Sequence, residues 1–315
     1  MKRRVYINKS SNHGREFIGL VFIIALIGVA CGILWWALSD SNRTEPESVS
    51  EPANSLSMGT PHVGGLVQAN MNGTYFSPSE GEMRHLWEII RTSPHIAGNK
   101  LYSAVIANVE FRYLSDVDDV NAFAAMHKQG GLGVGRKPIL CLLGGYVRIS
   151  RVLALAYAAN QSGVTNAMPR LVGIWNKLHN GFSESKMEAF VKDTGLAEVE
   201  KNPEILVKAK AISSGMILAT LAHEAGHHAL GHLHGRVDTD THEVSRNQER
   251  EADSFEASIM SISPFGEFML NGDLLYYAVD AKVGGGGCTH PYSEERFNNL
   301  VKANPVLAKA IGLSE

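Results

Sequence analysis

The sequence has few cysteines and no excess of positive charge. Cys31, Cys141 and Cys288 are the only three cysteines in 315 residues. A structural zinc site usually fills all four coordination positions with Cys or His, and no such cysteine set exists here. The formal net charge is −3, and no long Lys or Arg run follows the first few residues. We therefore expect neither a zinc-stabilised structural module nor a nucleic-acid-binding surface.

Other absences exclude two fold classes. The glycine-rich stretch at 128–138 lacks the G-x-G-x-x-G spacing, and no βαβ pattern surrounds it, so a dinucleotide site is not indicated. We interpret this stretch as a mobile loop. No segment recurs at a fixed period, which excludes a repeat architecture.

The first apolar run, residues 17–38, carries no charged residue. A helix of this length spans about 33 Å, which is sufficient for the hydrocarbon core of a bilayer. Lys and Arg precede the run and acidic residues predominate after it, so the positive-inside rule leaves the N-terminus, residues 1–16, in the cytoplasm. We predict a single-pass anchor in the cell inner membrane, with the rest of the chain in the periplasm or another extracytoplasmic space.

Two kinds of cleaved leader are the alternatives to this anchor. The apolar region of a signal peptide is normally about 7–15 residues long and ends at small residues, whereas this run continues through Leu34, Trp35 and Trp36. A lipoprotein signal at Cys31 would lack the usual Leu three residues before the cysteine, where Gly28 stands. An uncleaved anchor fits the sequence better.

Residues 39–70 are rich in Ser, Glu, Pro, Asn and Gly and are typical of a flexible linker. We expect one folded domain to occupy residues 71–315. In an oxidising compartment Cys141 and Cys288 could form a disulfide; two buried free thiols are the alternative, and the sequence leaves both open.

The most informative stretch is the H-E-x-x-H pattern at His223, Glu224 and His227. On a helix, positions i and i+4 lie on one face, so both imidazoles can point at one metal ion. Glu224 lies about 100° further round the helix, where it can act as a general base without binding the metal. The alternative is a solvated, histidine-rich helix.

A catalytic zinc needs a third protein ligand. The metzincin extension would require Gly at 230 and His at 233, but both are Leu. A second helix offers Glu249 and Asp253, which are four residues apart and hence on one face. Glu249 could bind the metal while Asp253 accepts the free N–H of a ligating His; an ordinary charged helix face is the alternative.

The combination of H-E-x-x-H with a later E-x-E-A-D resembles the HtpX-type membrane zinc metallopeptidases, which include the CAAX prenyl proteases and the mitochondrial Oma-type proteases. Further segments match in the same order: N-A-F-A at 121–124, G-G-Y-V-R-I-S at 144–150, His232, and T-H-P at 289–291 followed by Arg296. The resemblance covers roughly residues 100 to 300.

This resemblance implies Glu249 as the third ligand and places His290 and Arg296 near the cleft. It also implies a compact, mainly helical domain with a small sheet. Three features depart from the family pattern: a single membrane segment, about 60 residues between the strand and the zinc helix, and the glycine-rich stretch after N-A-F-A. His228, His234 and His242 match no family role and are expected at the surface.

The predicted fold class is therefore α+β and mainly helical, a zincin-like metallopeptidase domain with a small edge-strand sheet. Period-3.6 patterns predict helices at 80–91, 152–159, 168–178, 185–193, 203–212, 247–262, 268–283 and 293–303. Alternation after Gly144 predicts a half-exposed strand to Ser150. We expect Gly145, Tyr146 and Val147 in this strand to align a substrate backbone.

The expected function is a membrane-anchored zinc endopeptidase that acts on proteins or peptides outside the cytoplasm, for example in envelope quality control. It would hold one Zn²⁺ per chain, through His223, His227 and Glu249, with Glu224 as base. His290 could donate to the oxyanion or occlude the metal in a resting state. A zinc-binding chaperone or assembly factor is the alternative.

Overall fold

The computed structural model describes residues 75–128, 135–164, 167–178, 181–233, 242–282 and 290–313. The chain divides into two compact units, Asn54–Leu307 and a second formed by Met1–Ala53 with Ala308–Glu315. The candidate site belongs entirely to the first. The predicted anchor at 17–38 and linker at 39–70 lie outside the described residues, so both remain predictions.

Helices predominate in the described residues, and three strands form one small sheet. This confirms the prediction of a mainly helical chain. Helix α1 spans Glu80–Arg91 as predicted, and its N-terminus is capped by Ser79, whose hydroxyl accepts from the Glu82 N–H. Two short helices follow, α2 at Pro94–Ala97 and α3 at Lys100–Ile106.

The sheet has the strand order β1-β3-β2. Strand β1 (Glu110–Leu114) runs parallel to β3 (Arg136–Leu143), whereas β2 (Ala122–Lys128) pairs with β3 in the antiparallel direction. Strand β2 is therefore an edge of the sheet. It contains the end of the N-A-F-A segment, whose position in a strand was not predicted.

The predicted strand at 144–150 is wrong: Gly144–Gln161 form helix α4, and β3 ends at Leu143. The two glycines allow a close approach that the alternating pattern does not show. A Cβ at Gly144 would lie 2.1 Å from the Ser115 carbonyl oxygen, and one at Gly145 would lie 1.9 Å from that of Asp118. Only glycine fits where the chain turns from strand to helix against this loop.

The polar residues that suggested an exposed strand face are buried in α4. The Arg148 guanidinium donates to the carbonyl oxygens of Ser115 and Phe182, at 2.9 and 2.7 Å, and forms an ion pair with Asp118. Every residue from Gly144 to Ala159 is buried. A helix enclosed on all sides has no polar stripe, so its period of 3.6 residues is hidden in the sequence.

Three helices follow α4: α5 at Ala167–Leu178, α6 at Glu184–Thr194 and α7 at Leu196–Val199. Five more lie in the described residues after these: α8 at Pro203–Ala229, α9 at His242–Ile262, α10 at Gly266–Lys282, α11 at Ser293–Ala303 and the short α12 at Pro305–Ala310.

Helix α8 is the central element of its unit. Asn202 caps it by accepting from the N–H groups of Glu204 and Ile205, and Pro203 takes the first position. It packs against α4, α9 and α10. Among the described helices it alone is long and apolar enough to cross a membrane, but 72% of its most apolar window is buried in the protein. Such burial is typical of a core helix.

Two glycines bring α8 and α10 together. A Cβ at Gly215 would lie 1.9 Å from the Phe268 carbonyl oxygen, and one at Gly272 would lie 2.4 Å from the Met216 backbone nitrogen. The two backbones are therefore almost in contact, which fixes the depth at which α10 packs on the helix that carries the H-E-x-x-H motif.

Cys141 in β3 is a buried, free thiol. This agrees with the free-thiol alternative for that residue. Cys288 lies outside the described residues.

We predict that Gly215→Ala lowers the free energy of unfolding by about 1–3 kcal/mol, because the added methyl group forces α8 and α10 apart. The matched control is Gly173→Ala in α5, where a Cβ meets no atom within 4 Å. Higher helix propensity should make this control more stable by about 0.5–1 kcal/mol. Denaturant titration of both variants would contradict the packing argument if the two changes had the same sign.

Candidate metal centre

The candidate site lies where α8 and α9 approach each other most closely. Gly226 in α8 makes this approach possible, since a Cβ there would lie only 3.2 Å from both the Ala252 Cα and the Phe255 Cβ. Gly226 lies one residue before His227, and Ala252 lies three residues after Glu249. The contact therefore brings the predicted third ligand to the histidine pair.

Three donor atoms converge at this crossing. The Nε2 atoms of His223 and His227 are 3.2 Å apart, and the Glu249 carboxylate lies 3.2 Å from the first and 3.5 Å from the second. All three residues are buried, each 7% exposed. Buried groups of this kind in such close contact could hold a metal ion.

The spacing can be compared with metal coordination. His nitrogen and carboxylate oxygen bind zinc at about 2.0–2.2 Å, so two ligands at a tetrahedral angle lie about 3.3 Å apart. The three measured separations fall close to this value. The donor set therefore fits a single cation of this bond length. Because the three side chains supply three donors, a fourth position is left for a reactant.

His223 is oriented by a charged partner. Its Nδ1 lies 2.9 Å from an Asp253 oxygen, and Arg296 makes a two-pronged ion pair with the same carboxylate. A ring that offers Nε2 to a cation carries its proton on Nδ1. The Nδ1–H therefore donates to Asp253, which Arg296 neutralises, as the sequence predicted for Asp253.

The charges of this cluster support one another. Burial and Arg296 lower the pKa of His223, but hydrogen bonds to Asp253 and Glu249 raise it to about 10. Burial raises the pKa of Glu249, yet His223, His227 and His290 bring it down to about 2. In the same way, burial raises the pKa of Asp253, and Arg296 with His223 holds it well below its usual range. A divalent cation would displace the proton of His223 and take over its role towards Glu249.

Glu224 lies next to the donors without being one of them. Its Oε2 accepts a hydrogen bond of 2.7 Å from the backbone N–H of Ala124 in β2. Burial raises the pKa of Glu224, His223 lowers it and Glu249 raises it, with a net value of about 7. A carboxyl group with this pKa can exchange a proton near neutral pH.

A recess of about 420 Å³ opens beside these residues. Its lining includes His223, Glu224 and Glu249, and also His290, Arg296 and Tyr146. His290 is 56% exposed, with its Nε2 3.6 Å from a Glu249 oxygen. The recess is therefore large enough for a substrate side chain beside the donor atoms.

Two buried carboxyl groups form the back of the recess. Glu256 and Asp273 hydrogen-bond to each other, which requires one of them to be protonated. Burial and the neighbouring carboxylates raise the pKa of Glu256 well above its usual range. Burial raises the pKa of Asp273 to about 6, although Arg296 and Glu256 oppose this shift. The pair adds two acidic groups to the lining of the recess, which Arg296 also lines.

The structure brings together most of the predicted site residues. His223, His227, Glu249, Asp253, Glu224, Arg296 and His290 lie around the donor cluster. The three residues of the predicted substrate strand do not form a strand beside the cluster. Gly145 and Val147 are buried in α4, and only Tyr146 lines the recess, with its hydroxyl 2.5 Å from Thr220 Oγ1.

The three histidines that were expected at the surface, His228, His234 and His242, divide into three cases. His228, predicted at the surface, is buried, with its Nε2 2.8 Å from the Ile139 carbonyl oxygen of β3. This prediction was wrong because the sheet covers that side of α8. His242 is exposed as expected, and His234 lies outside the described residues.

Sequence reasoning missed the residues that support the site from further away. The carboxylate of Glu251, which the sequence does not mark as a site residue, accepts from His232 at 2.8 Å. The Ala124 N–H and the Glu256–Asp273 pair were also missed. Of these, only Ala124 has a signal in the sequence, because it belongs to the N-A-F-A segment, for which the sequence indicates no place in the fold.

No family model, curated protein or solved structure matches this chain.

We predict that Glu249→Gln weakens zinc binding by more than about 100-fold. Loss of an outer hydrogen-bond partner of a metal ligand typically costs about 10- to 100-fold in affinity, and this change removes a charged donor from the cluster itself. Glu243→Gln, on an exposed position of the same helix, should bind zinc like the unaltered chain. Competition with a chromophoric chelator measures both affinities. Equal affinity of the Glu249 variant and the control would remove Glu249 from the donor set.

Proposed function

We propose that this chain is a membrane-anchored zinc endopeptidase that hydrolyses peptide bonds of protein substrates outside the cytoplasm. The observation that carries the proposal is the convergence of two imidazoles and one carboxylate, within 3.5 Å of one another, beside a second glutamate that is held by a backbone N–H. Two His and one Glu are the ligand set of zinc peptidases, and a separate Glu is their base.

The roles of the residues follow from their positions. Zinc held by His223, His227 and Glu249 would supply a Lewis acid that polarises the scissile carbonyl and makes water acidic enough to react at neutral pH. Glu224 accepts the proton of the attacking water and passes it to the leaving amine. The Ala124 N–H fixes one carboxylate oxygen of Glu224, which leaves the other to face the recess. Arg296 neutralises Asp253 and so keeps the orientation of His223.

Strand β2 is the best candidate for binding the substrate backbone, in place of the segment at 145–147. The N–H of Leu143 in β3 donates to the Asn121 carbonyl. In an antiparallel pair every second residue directs its backbone N–H and C=O groups at the partner strand, so residues 121, 123 and 125 direct theirs at β3. The backbone groups of Ala122, Ala124 and Met126 therefore point to the other edge, where Ala124 meets Glu224. A substrate strand added at this edge would lie along the donor cluster.

The sequence supports the remaining parts of the proposal. The uncharged run at 17–38, with positive residues before it, favours a single-pass anchor with the peptidase outside the cytoplasm. The resemblance to HtpX-type peptidases supports a zincin-like fold, and its motifs supply every member of the donor cluster. Substrates in the cell envelope would follow from such a location.

We predict that Glu224→Gln reduces hydrolysis of an unfolded protein by about 10²- to 10⁴-fold, because the general base is lost. The zinc content should be unchanged, since Glu224 is not a donor to the cation. The measurement uses the purified full chain in detergent, with a fluorescent casein as substrate and elemental analysis for zinc.

Glu204→Gln is the matched control, on an exposed position in the first turn of the same helix; it should retain full activity. A chelator should abolish hydrolysis and added zinc should restore it. A different outcome would support a chaperone function in place of the peptidase. In that case the unaltered chain and the Glu224 variant would both bind zinc and prevent aggregation of an unfolded protein equally well, and neither would cleave it.

We predict that His290→Ala lowers turnover by about 10-fold or more with little change in zinc content, because an exposed imidazole beside the recess can donate to the oxyanion. His242→Ala, an exposed histidine at the start of α9, serves as control. Turnover and zinc affinity that both remain unchanged would remove His290 from the site. Higher turnover with weaker zinc binding would instead identify it as a group that occludes the metal.

A further inference from the structure

The second histidine of the motif has an unusual partner. His227 Nδ1 lies 3.0 Å from His232 Nδ1, and His232 Nε2 lies 2.8 Å from a carboxylate oxygen of Glu251. His232 is only 7% exposed, whereas the side chain of Glu251 is 64% exposed. These three side chains, which we name the His227 relay, lead from the donor cluster to the surface.

The end of helix α8 explains how His232 reaches this place. The helix stops at Ala229, and Gly231 adopts a left-handed conformation with φ of 75°. The N–H of His232 then donates to the His227 carbonyl at 3.0 Å, and the N–H of Gly231 donates to that of His228 at 3.1 Å. This is the Schellman arrangement, in which the chain folds back on the last turn. It places the imidazole of His232 over that of His227. In Schellman motifs these two positions frequently hold apolar side chains that contact each other.

The proton positions in the relay are fully determined once His227 offers Nε2 to a cation. Its proton must then be on Nδ1, so Nδ1–H donates to His232 Nδ1. His232 must accept there, which leaves its own proton on Nε2 to donate to Glu251. Each of the two contacts thus contains one proton. With the opposite assignment, His227 would direct an N–H at His223 and Glu249 and could not bind a metal.

The two metal-binding histidines are therefore oriented by different means. His223 donates to a buried carboxylate, Asp253, whose charge is balanced by Arg296. His227 donates to a neutral imidazole, and the only carboxylate of its relay is at the surface. A buried charge on each side would require two buried counter-charges; the relay orients the second ligand without one.

We propose that His232 and Glu251 are positioning residues that hold His227 in its metal-binding tautomer. This inference rests on the proposed metal centre but not on peptidase activity. Carboxylate partners of ligating histidines are common, and here a second histidine takes that place.

The test compares four variants of the full chain in detergent. His232→Leu removes both nitrogens and keeps an apolar side chain in the buried position. His232→Asn places an amide oxygen where Nδ1 stood, so it preserves an acceptor for His227. Glu251→Ala removes the end of the relay at the surface, and Glu251→Gln keeps an acceptor oxygen there.

The first readout is zinc affinity, measured by competition with a chromophoric chelator. We expect His232→Leu to weaken binding by about 10- to 100-fold, as for loss of other outer partners of metal ligands. His232→Asn should recover most of this loss, Glu251→Ala should weaken binding by about 3- to 10-fold, and Glu251→Gln should match the unaltered chain. Rescue by Asn would not occur if His232 merely filled space.

The second readout is the ¹⁵N spectrum of the metal-free protein with labelled histidine, recorded at a pH where the His227 ring is neutral. The unaltered chain and His232→Asn should show the His227 proton on Nδ1 alone, and His232→Leu should lose this preference. If the Leu variant failed to fold, the two Glu251 variants, changed at an exposed side chain, would decide the matter through the same comparison.

Each outcome has a definite meaning. Unchanged zinc affinity and an unchanged His227 tautomer in His232→Leu would overturn the relay while leaving the proposed peptidase intact. An unaltered chain that binds zinc and shows the expected ranking of variants, but cleaves no protein, would support the relay and end the peptidase proposal. No zinc binding by the unaltered chain would overturn both.

Discussion

The arrangement of the site depends on the close approach of α8 and α9 at Gly226 and Ala252. Without a side chain at 226, the backbone of α9 comes near enough for a carboxylate to meet two imidazoles whose positions are fixed by the helical repeat. Ionisable groups at such a depth lose their hydration, a cost that is tolerated only when each has a partner. Asp253 with Arg296, the Ala124 N–H and the relay to the surface provide these partners. The donors are held in place by surrounding hydrogen bonds, so little reorganisation is needed when a cation arrives.

The residues that come from local geometry could be predicted from the sequence. His223, Glu224 and His227 lie within about one helical turn, and Glu249 and Asp253 lie within another, so the spacing alone defines their faces. The spacing of these residues does not predict that α8 and α9 contact each other. That prediction required the order of the motifs and the resemblance to known peptidases. Helix α1 was predicted to the residue because its amphipathic pattern and its Ser79 cap are both local signals.

The parts that were predicted wrongly, or missed, depend on contacts distant in the sequence. Alternation from Tyr146 to Ser150 suggested a strand, but Arg148 is polar because it binds carbonyl groups of the loop after β1. The surface position expected for His228 failed because a strand about 90 residues earlier covers it. The role of His232 depends on a left-handed glycine, and a Leu-Gly-His sequence after a helix does not reveal where the imidazole will lie.

Helix α8 has one more consequence, for biogenesis. If the chain is exported as proposed, every apolar helix must pass through a translocation channel without remaining in the bilayer. By its whole length and composition α8 could span a bilayer, but its uncharged part between Lys210 and His223 is only about 12 residues, or about 18 Å, against the roughly 30 Å of a hydrocarbon core. The histidines and the glutamate at its end therefore also shorten the segment that could act as a stop-transfer signal. If these histidines and the glutamate were on a different, polar helix, α8 would remain as a second membrane-spanning candidate in the part of the chain that we propose is exported.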